Sequence, residues 1–180
     1  VDSDPALFQH ETEADHQMQV LRFRRGEKKD IILCNWQCHA THVGTSTGTK
    51  VSSDFVGVFR KEVEAKDDVH FIYLQGAACN VTPKGRLAGD RRDGREKHGA
   101  ALAERLFAAL EEAKPVSSGR VLVKRLNLTL PFSKTYCEKE EKEFGTTIQM
   151  PLYAASFGDV CLGTVPGEWH DVLGMELKEK

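Results

Sequence analysis

Three polar residues lie where apolar segments end in loops of small residues. His39 follows the first of these segments, Thr82 lies in the loop after the second, and Glu168 comes after the third. In open α/β sheets, functional side chains gather where strands end. An imidazole and a carboxylate are a partial ligand set for hydrolytic zinc, which commonly takes three protein ligands and a water. If the three loops converge, the sequence predicts zinc ligands at His39 and Glu168 with the Thr82 hydroxyl beside them.

Each of these residues also has a structural interpretation that the spacing leaves open. A histidine at a strand end, such as His39, can simply be solvated or hydrogen bonded, and Thr82-Pro83 is an ordinary turn pair. Glu168 follows Pro-Gly and fits the first turn of a helix, where an acidic residue stabilises the N-terminus. The other histidines are expected at the surface: His10, His16, His42, His98 and His170.

The elements that must position these residues follow from apolar periodicity. Helices are predicted over 93–113, from Asp54 onward, and after Glu168. Strands are predicted over 20–23, 31–36, 70–74, 119–130, 148–157 and 160–165. The order β-β-α-β-α-β-β-β-α predicts an α/β fold, with a mixed β-sheet flanked by helices and the ligand residues at strand C-terminal ends.

The same patterns predict how far each strand is buried. The run 31–36 is largely apolar, which is typical of a strand buried on both faces, and 70–74 is expected to be a buried strand of the same type. Segment 119–130 alternates and is expected to be half-buried. Gly158-Asp159 indicates a hairpin turn. The charged segment 132–145 is expected to be a solvated helix or loop.

Length and composition indicate a soluble globular chain. Its 180 residues suit a single domain over 1–180. The formal net charge of −2 argues against a general nucleic-acid binder, because neutralising phosphates needs clustered positive charge. No apolar run approaches the roughly 20 residues that span a bilayer, and the chain shows no signal peptide. The odd count of 5 cysteines favours free, mostly buried thiols over a disulfide framework.

Four short segments stand in an order that one protein family shares. Residues 35–41 read Asn-Trp-Gln-Cys-His-Ala-Thr, and residues 51–57 read Val-Ser-Ser-Asp-Phe-Val-Gly. Residues 74–83 read Leu-Gln-Gly-Ala-Ala-Cys-Asn-Val-Thr-Pro, and residues 165–168 read Val-Pro-Gly-Glu. They resemble the Asn-Phe-x-Cys-His-Pro-Thr, Ser-Ala-Asp-Tyr-Pro-Gly, Leu-Gln-Gly-x-x-Gly-Asp-Val-Ser-Pro and Pro-Gly-Glu motifs of neutral/alkaline, non-lysosomal ceramidases and their bacterial relatives.

The resemblance implies a zinc-dependent amidase, a linear-amide hydrolase that cleaves the N-acyl bond of ceramide or a related N-acyl lipid. It places the zinc-binding roles on His39 and Glu168 and the catalytic hydroxyl on Thr82. Asn80 and Asp54 are assigned to substrate binding or to support of the catalytic residues. The resemblance also implies a secreted, periplasmic or membrane-associated protein that meets a membrane surface.

The chain departs from the family pattern at several points. The family's zinc site also takes a histidine from an upstream His-x-His segment and a tyrosine after Pro-Gly-Glu. Neither is present here, so the remaining ligands are expected outside this chain. Cys79-Asn80 replaces the Gly-Asp pair, and Ala40 replaces a proline. Residues 1–180 are therefore expected to be the central part of a ceramidase-like catalytic domain, truncated at both ends.

Two other functions stay open at the level of sequence. The replacements at Asn80 and Thr82 are compatible with a catalytically inactive ceramidase-like protein that binds lipid or sugar. A cysteine hydrolase would use Cys38 or Cys79 with a histidine, and its nucleophile would need a neighbour that favours the thiolate. Cys38 and His39 are adjacent in sequence and point to opposite faces of an extended segment, which arranges them poorly for that role.

Overall fold

The structure is a computed structural model that describes residues 14–43, 50–83, 91–117, 120–131 and 146–179. Its contacts divide the chain into two compact units. The first unit is 1–113 together with 168–180, and the second is 114–167. His39, Thr82 and Glu168 all belong to the first unit. The interpretation of 1–180 as one domain stays a prediction, and so does that of 132–145, which lies outside the described residues.

The described residues form six strands and three helices. The first unit contains β1 (Gln19–Arg25), β2 (Lys28–Trp36), α1 (Asp54–Lys66), β3 (Val69–Gln75), α2 (Arg91–Glu111) and α3 (Asp171–Lys178). The second unit contains β4 (Val121–Pro131), β5 (Thr147–Phe157) and β6 (Val160–Thr164). The predicted order of elements and the α/β class are confirmed.

The sheet of the first unit is mixed, as the sequence predicts, with strand order β1-β2-β3. Strand β1 pairs antiparallel with β2 through a tight turn, where Gly26 has a φ of 66° that favours glycine. Strand β2 pairs parallel with β3, with Ile32 opposite Phe71 and Trp36 opposite Gln75. Parallel neighbours need a crossover connection, and α1 lies in that connection. Strands β2 and β3 therefore end at the same edge of the sheet.

The core of the first unit lies between this sheet and helices α1 and α2. Phe55, Phe59 and Val63 follow a helical spacing along α1 and are fully buried. The Phe59 ring lies 4.6 Å from the ring of Phe71 on β3. Helix α2 approaches α1 closely at Gly99, where an added Cβ would lie 2.6 Å from the Val58 Cβ. This packing holds in place the sheet edge from which the loops after β2 and β3 leave.

The prediction that β2 and β3 are buried on both faces is wrong. Ile32 on β2 and Phe71 on β3 are buried in the helix-facing core. On the opposite face, Leu33 is only half-buried and Ile72 is 40% exposed. The reason is that α1 and α2 supply core residues to one face, and no element among the described residues of this unit buries the other.

The second unit is an antiparallel sheet with strand order β4-β5-β6. Strands β4 and β5 pair along their whole length, and β5 and β6 form a hairpin around Gly158, whose φ is 64°. The predicted turn at Gly158-Asp159 is confirmed. The prediction that 119–130 is half-buried is wrong, because β4 is exposed on both faces except at Leu128, which is intermediate. Within the described part of this unit no second layer covers the strand.

Truncating the centre of the first core should be costly. We expect Phe59→Ala to lower the free energy of unfolding by about 3–5 kcal/mol, since it leaves a cavity where a fully buried ring was packed. The exposed neighbour Lys61 gives a matched control in the same helix, and Lys61→Ala should stay within about 0.5 kcal/mol of wild type. Urea unfolding measures both changes. Equal effects of the two substitutions would contradict this account of the core.

Candidate metal and hydrolase site

Backbone hydrogen bonds bring the three predicted loops side by side. The His39 amide donates to the Val81 carbonyl over 3.0 Å, which joins the segment after β2 to the loop after β3. The Cys79 amide donates to the Trp169 carbonyl over 2.9 Å, which joins that loop to the segment before α3. The loop that carries Thr82 is thus bonded on one side to the His39 segment. On its other side it is bonded to the residue that follows Glu168.

The candidate reactive side chains lie at the surface of this junction. Thr82 and Glu168 are exposed, and His39 is half-buried. The interpretation of Glu168 as a first-turn helix residue is wrong, because α3 begins only at Asp171 and the acidic residue of its first turn is Asp171 itself. Glu168 therefore has no capping role in α3, and its carboxylate is accessible to solvent.

Asn80 makes a two-way hydrogen bond with Asp171. Its Nδ2 donates to the Asp171 Oδ1 over 2.8 Å, and its Oδ1 accepts the Asp171 backbone N–H over 3.0 Å. Asp171 is 2% exposed, and its Oδ1 also accepts the Val172 amide. His170, the N-cap residue of α3, makes no side-chain capping bond. Asn80 therefore caps α3 from another part of the chain, which is a supporting role, while substrate binding by Asn80 stays a prediction.

The far end of α3 is anchored to Asp15, which precedes β1, and to Gln37, which follows β2. The Lys178 Nζ lies 2.5 Å from the Asp15 Oδ2, and both side chains are largely shielded from water. Lys178 also donates to the Oε1 of Gln37 over 3.4 Å. Gln37 is 2% exposed, and its amide donates to the Asp15 carbonyl. Both ends of α3 are thus tied to the segments around β2 and β3.

Asp54 holds the end of the loop that follows His39. It is 4% exposed, its Oδ2 accepts the Val43 amide over 2.7 Å, and its Oδ1 accepts the Phe55 amide over 2.7 Å. Asp54 is the first residue of α1, and the N-cap position belongs to Ser53. Both carboxylate oxygens of Asp54 accept backbone N–H groups, which is a supporting arrangement. A contact between Asp54 and substrate stays a prediction.

The cysteines show opposite environments. Cys34 and Cys38 are buried, whereas Cys79 and Cys161 are exposed, and all four are free. Burial raises the pKa of the Cys38 thiol to about 12, with the Asp54 charge adding to the effect. A thiol held protonated at neutral pH is a poor nucleophile. Cys38 is thus a buried thiol beside His39 in sequence, which argues against its use as a nucleophile.

His42 and His98, both expected at the surface from the sequence, form a hydrogen-bonded pair. The His42 Nε2 lies 3.0 Å from the His98 Nδ1, so one imidazole donates a hydrogen bond and the other accepts it. His42 is 3% exposed, and the His98 ring lies 4.3 Å from the Phe55 ring. The surface prediction is wrong for His42, which is buried, whereas His98 is half-buried. His98 falls on the apolar spacing of Leu102 and Leu106, a signal that was available in the sequence.

The remaining histidine predictions divide by position. His16 and His170 are exposed, as expected. His10 lies outside the described residues.

The donor set around His39 suits zinc in kind and is incomplete in number. Imidazole and carboxylate are both ordinary zinc ligands. No group of three or more His, Cys, Asp or Glu side chains within the described ranges could hold a metal ion. Two buried polar atoms close to His39 in sequence, the Trp36 Nε1 and the Thr41 Oγ1, lack a hydrogen-bond partner among the described residues.

No protein-family model, curated protein or solved structure matches this chain. In the part of the chain that the structure covers, none of the helices is both long and apolar enough to cross a bilayer.

The His42–His98 pair gives a pH prediction. Burial lowers the pKa of His98 from 6.5 to about 4, the nearby His42 adds to this, and Asp54 opposes it. The unfolded chain therefore takes up a proton on His98 before the folded chain does, so this residue costs stability as the pH falls from 6.5 toward 4. We expect the His98 ring protons to titrate near pH 4 by NMR, and the stability of wild type relative to His98→Gln to fall over this pH range. Titration near 6.5 would contradict the buried setting.

Proposed function

We propose that this protein is a zinc-dependent amidase that hydrolyses the N-acyl bond of ceramide or a related N-acyl lipid. The observation that carries the proposal is the pair of backbone hydrogen bonds, from His39 to Val81 and from Cys79 to Trp169. They bring together the three segments that resemble the ceramidase motifs. Residues of one active site often come from segments that are far apart in sequence and adjacent in the fold, as these three segments are.

His39 and Glu168 would hold the metal through an imidazole nitrogen and a carboxylate oxygen. Zinc, when bound there, polarises the amide carbonyl and lowers the pKa of a bound water toward 7. The exposed Thr82 hydroxyl can donate a hydrogen bond to the tetrahedral oxyanion, or attack the acyl carbon itself. In either route the C–N bond breaks, the oxygen of water ends on the acyl carbon, and the amine leaves with a proton.

Exposed apolar residues that follow Glu168 support a lipid as the substrate. Trp169 lies two residues before α3 and is 38% exposed, and Leu173 and Leu177, one helical turn apart on α3, are 45% and 55% exposed. An acyl chain can bury such side chains at about 25 cal/mol per Å² of apolar surface. A substrate of this kind accords with a protein that works at a membrane surface and is secreted, periplasmic or membrane-associated, which we propose together with the activity.

A second candidate function is binding of a lipid or sugar without hydrolysis. Asn80 replaces the carboxylate of the family motif, and its amide is occupied by Asp171. The described residues also lack a third side chain that would complete a metal site. Release of fatty acid from an N-acyl-sphingosine by the zinc-loaded protein would exclude this alternative.

The ligand assignment predicts coupled loss of zinc and activity. We expect Glu168→Gln to reduce both zinc affinity and fatty-acid release by more than the roughly 10–100-fold that follows loss of an outer-shell partner. Glu62→Gln on α1 is a matched control, since it removes the same charge from an exposed residue. Metal analysis after dialysis and an N-acyl-sphingosine hydrolysis assay measure the two effects. Undiminished hydrolysis by Glu168→Gln would rule out the assignment.

The role of Thr82 can be tested with two substitutions of similar size. Thr82→Ser keeps the hydroxyl and should stay within about tenfold of wild type in kcat. Thr82→Val keeps the shape, and loss of the hydroxyl should lower kcat on the order of 100–1,000-fold. An acylated protein trapped by acid quench and detected by mass spectrometry would assign Thr82 as nucleophile rather than as hydrogen-bond donor. Full activity of Thr82→Val would contradict both roles.

A further inference from the structure

We infer that Asp171 is a positioning residue for amide hydrolysis, acting through Asn80 to hold the Thr82 loop against the Glu168 segment. The inference rests on the proposed function and adds to it a residue that none of the motifs includes. Asp171 lies beyond the Pro-Gly-Glu segment on the first turn of α3, and Asn80 lies just before Thr82. The pair thus joins the loop that carries Thr82 to the segment that carries Glu168.

The burial of Asp171 explains why its partner matters. A carboxylate that is 2% exposed is costly unless hydrogen bonds replace its water. Asn80 supplies one donor at 2.8 Å, and the Val172 amide supplies another at 2.8 Å. Because an asparagine side chain both donates and accepts, Asn80 also accepts the Asp171 backbone N–H. An aspartate at position 80 would instead face the buried carboxylate with a second negative charge.

Two further contacts show that the join is tight. The Cys79 amide donates to the Trp169 carbonyl over 2.9 Å. Gly174 on α3 approaches Ala77 so closely that an added Cβ would lie 2.6 Å from the Ala77 Cβ. The loop is therefore fixed to α3 and its preceding segment on both sides of the Asn80–Asp171 pair. A shift of about 1 Å at a catalytic group can cost on the order of 100-fold in rate.

The pair also gives a physical reason for the departure at position 80. The family motif has an aspartate there, and this chain has an asparagine whose amide nitrogen contacts a carboxylate. The amide at residue 80 and the carboxylate at residue 171 are complementary. Exchanging them keeps one amide opposite one carboxylate, whereas an aspartate at residue 80 alone would put two carboxylates together.

A four-variant experiment on the zinc-loaded protein tests this pairing. We expect Asn80→Asp to lower kcat for N-acyl-sphingosine on the order of 100-fold, because the loop carrying Thr82 is pushed away from α3. KM should change by less than about threefold, since the apolar contacts to the lipid remain. The double variant Asn80→Asp/Asp171→Asn should recover most of the lost kcat. Asp171→Ala removes the acceptor for the Asn80 Nδ2 and should itself lower kcat about tenfold or more, and Asp68→Ala serves as an exposed control of equal charge change.

The outcomes separate this inference from the proposed function. Wild type without zinc-dependent hydrolysis overturns the proposed function, and this inference with it. An active wild type whose kcat is unchanged by Asn80→Asp, or is lost without recovery in the double variant, overturns the inference alone. If Asn80→Asp does not fold, Asn80→Ala replaces it, because it removes the bond without adding a charge. A kcat about tenfold below wild type then supports the positioning role, and an unchanged kcat overturns it.

Discussion

The parallel pairing of β2 with β3 is the constraint on which the rest of the first unit depends. It makes both strands end at one edge, where the Gly76 amide donates to the Trp36 carbonyl over 3.0 Å and continues the ladder. Gly76 leaves little room there, since an added Cβ would lie 3.1 Å from the Gln37 Cβ. The two outgoing loops therefore start side by side. The bond from His39 to Val81 follows from this geometry rather than from any affinity between the loops.

The segment that carries Glu168 is joined to the loop after β3 by a different kind of interaction. Glu168 follows no strand of the first sheet, and the join is made by one backbone bond and by the side chains of Asn80 and Asp171. At the other end of α3, Lys178 pairs with Asp15. Sheet pairing depends little on side-chain identity, whereas these contacts depend on it strongly. The placement of Glu168 is thus the part of the candidate site most sensitive to substitution.

The sequence predicted the order of elements well and their burial poorly, for one physical reason. Periodicity reports which residues are apolar, and that decides strand or helix, as for β3 and for α1 from Asp54. It does not report whether a second layer covers a given face, which is why Ile72 and β4 were misplaced. The approach of the loops after β2 and β3 could be expected once those strands are parallel neighbours, whereas the approach of the Glu168 segment could not, because it follows no strand of this sheet. The Asn80–Asp171 pair could not, because it joins residues 91 positions apart by side-chain geometry alone.

Some polar groups near this edge are buried, such as Cys38, and others are exposed, such as Thr82 and Glu168. This difference matters for deciding which of them could take part in a reaction. Perturbed pKa values often mark active sites, and that rule would select His98 and Cys38 here. Yet the His98 ring is hydrogen bonded to His42 and packed on Phe55, and Cys38 lies in the core, so both shifts arise from burial within the scaffold. The residues to which we assign the reaction lie where water, metal and lipid can reach them.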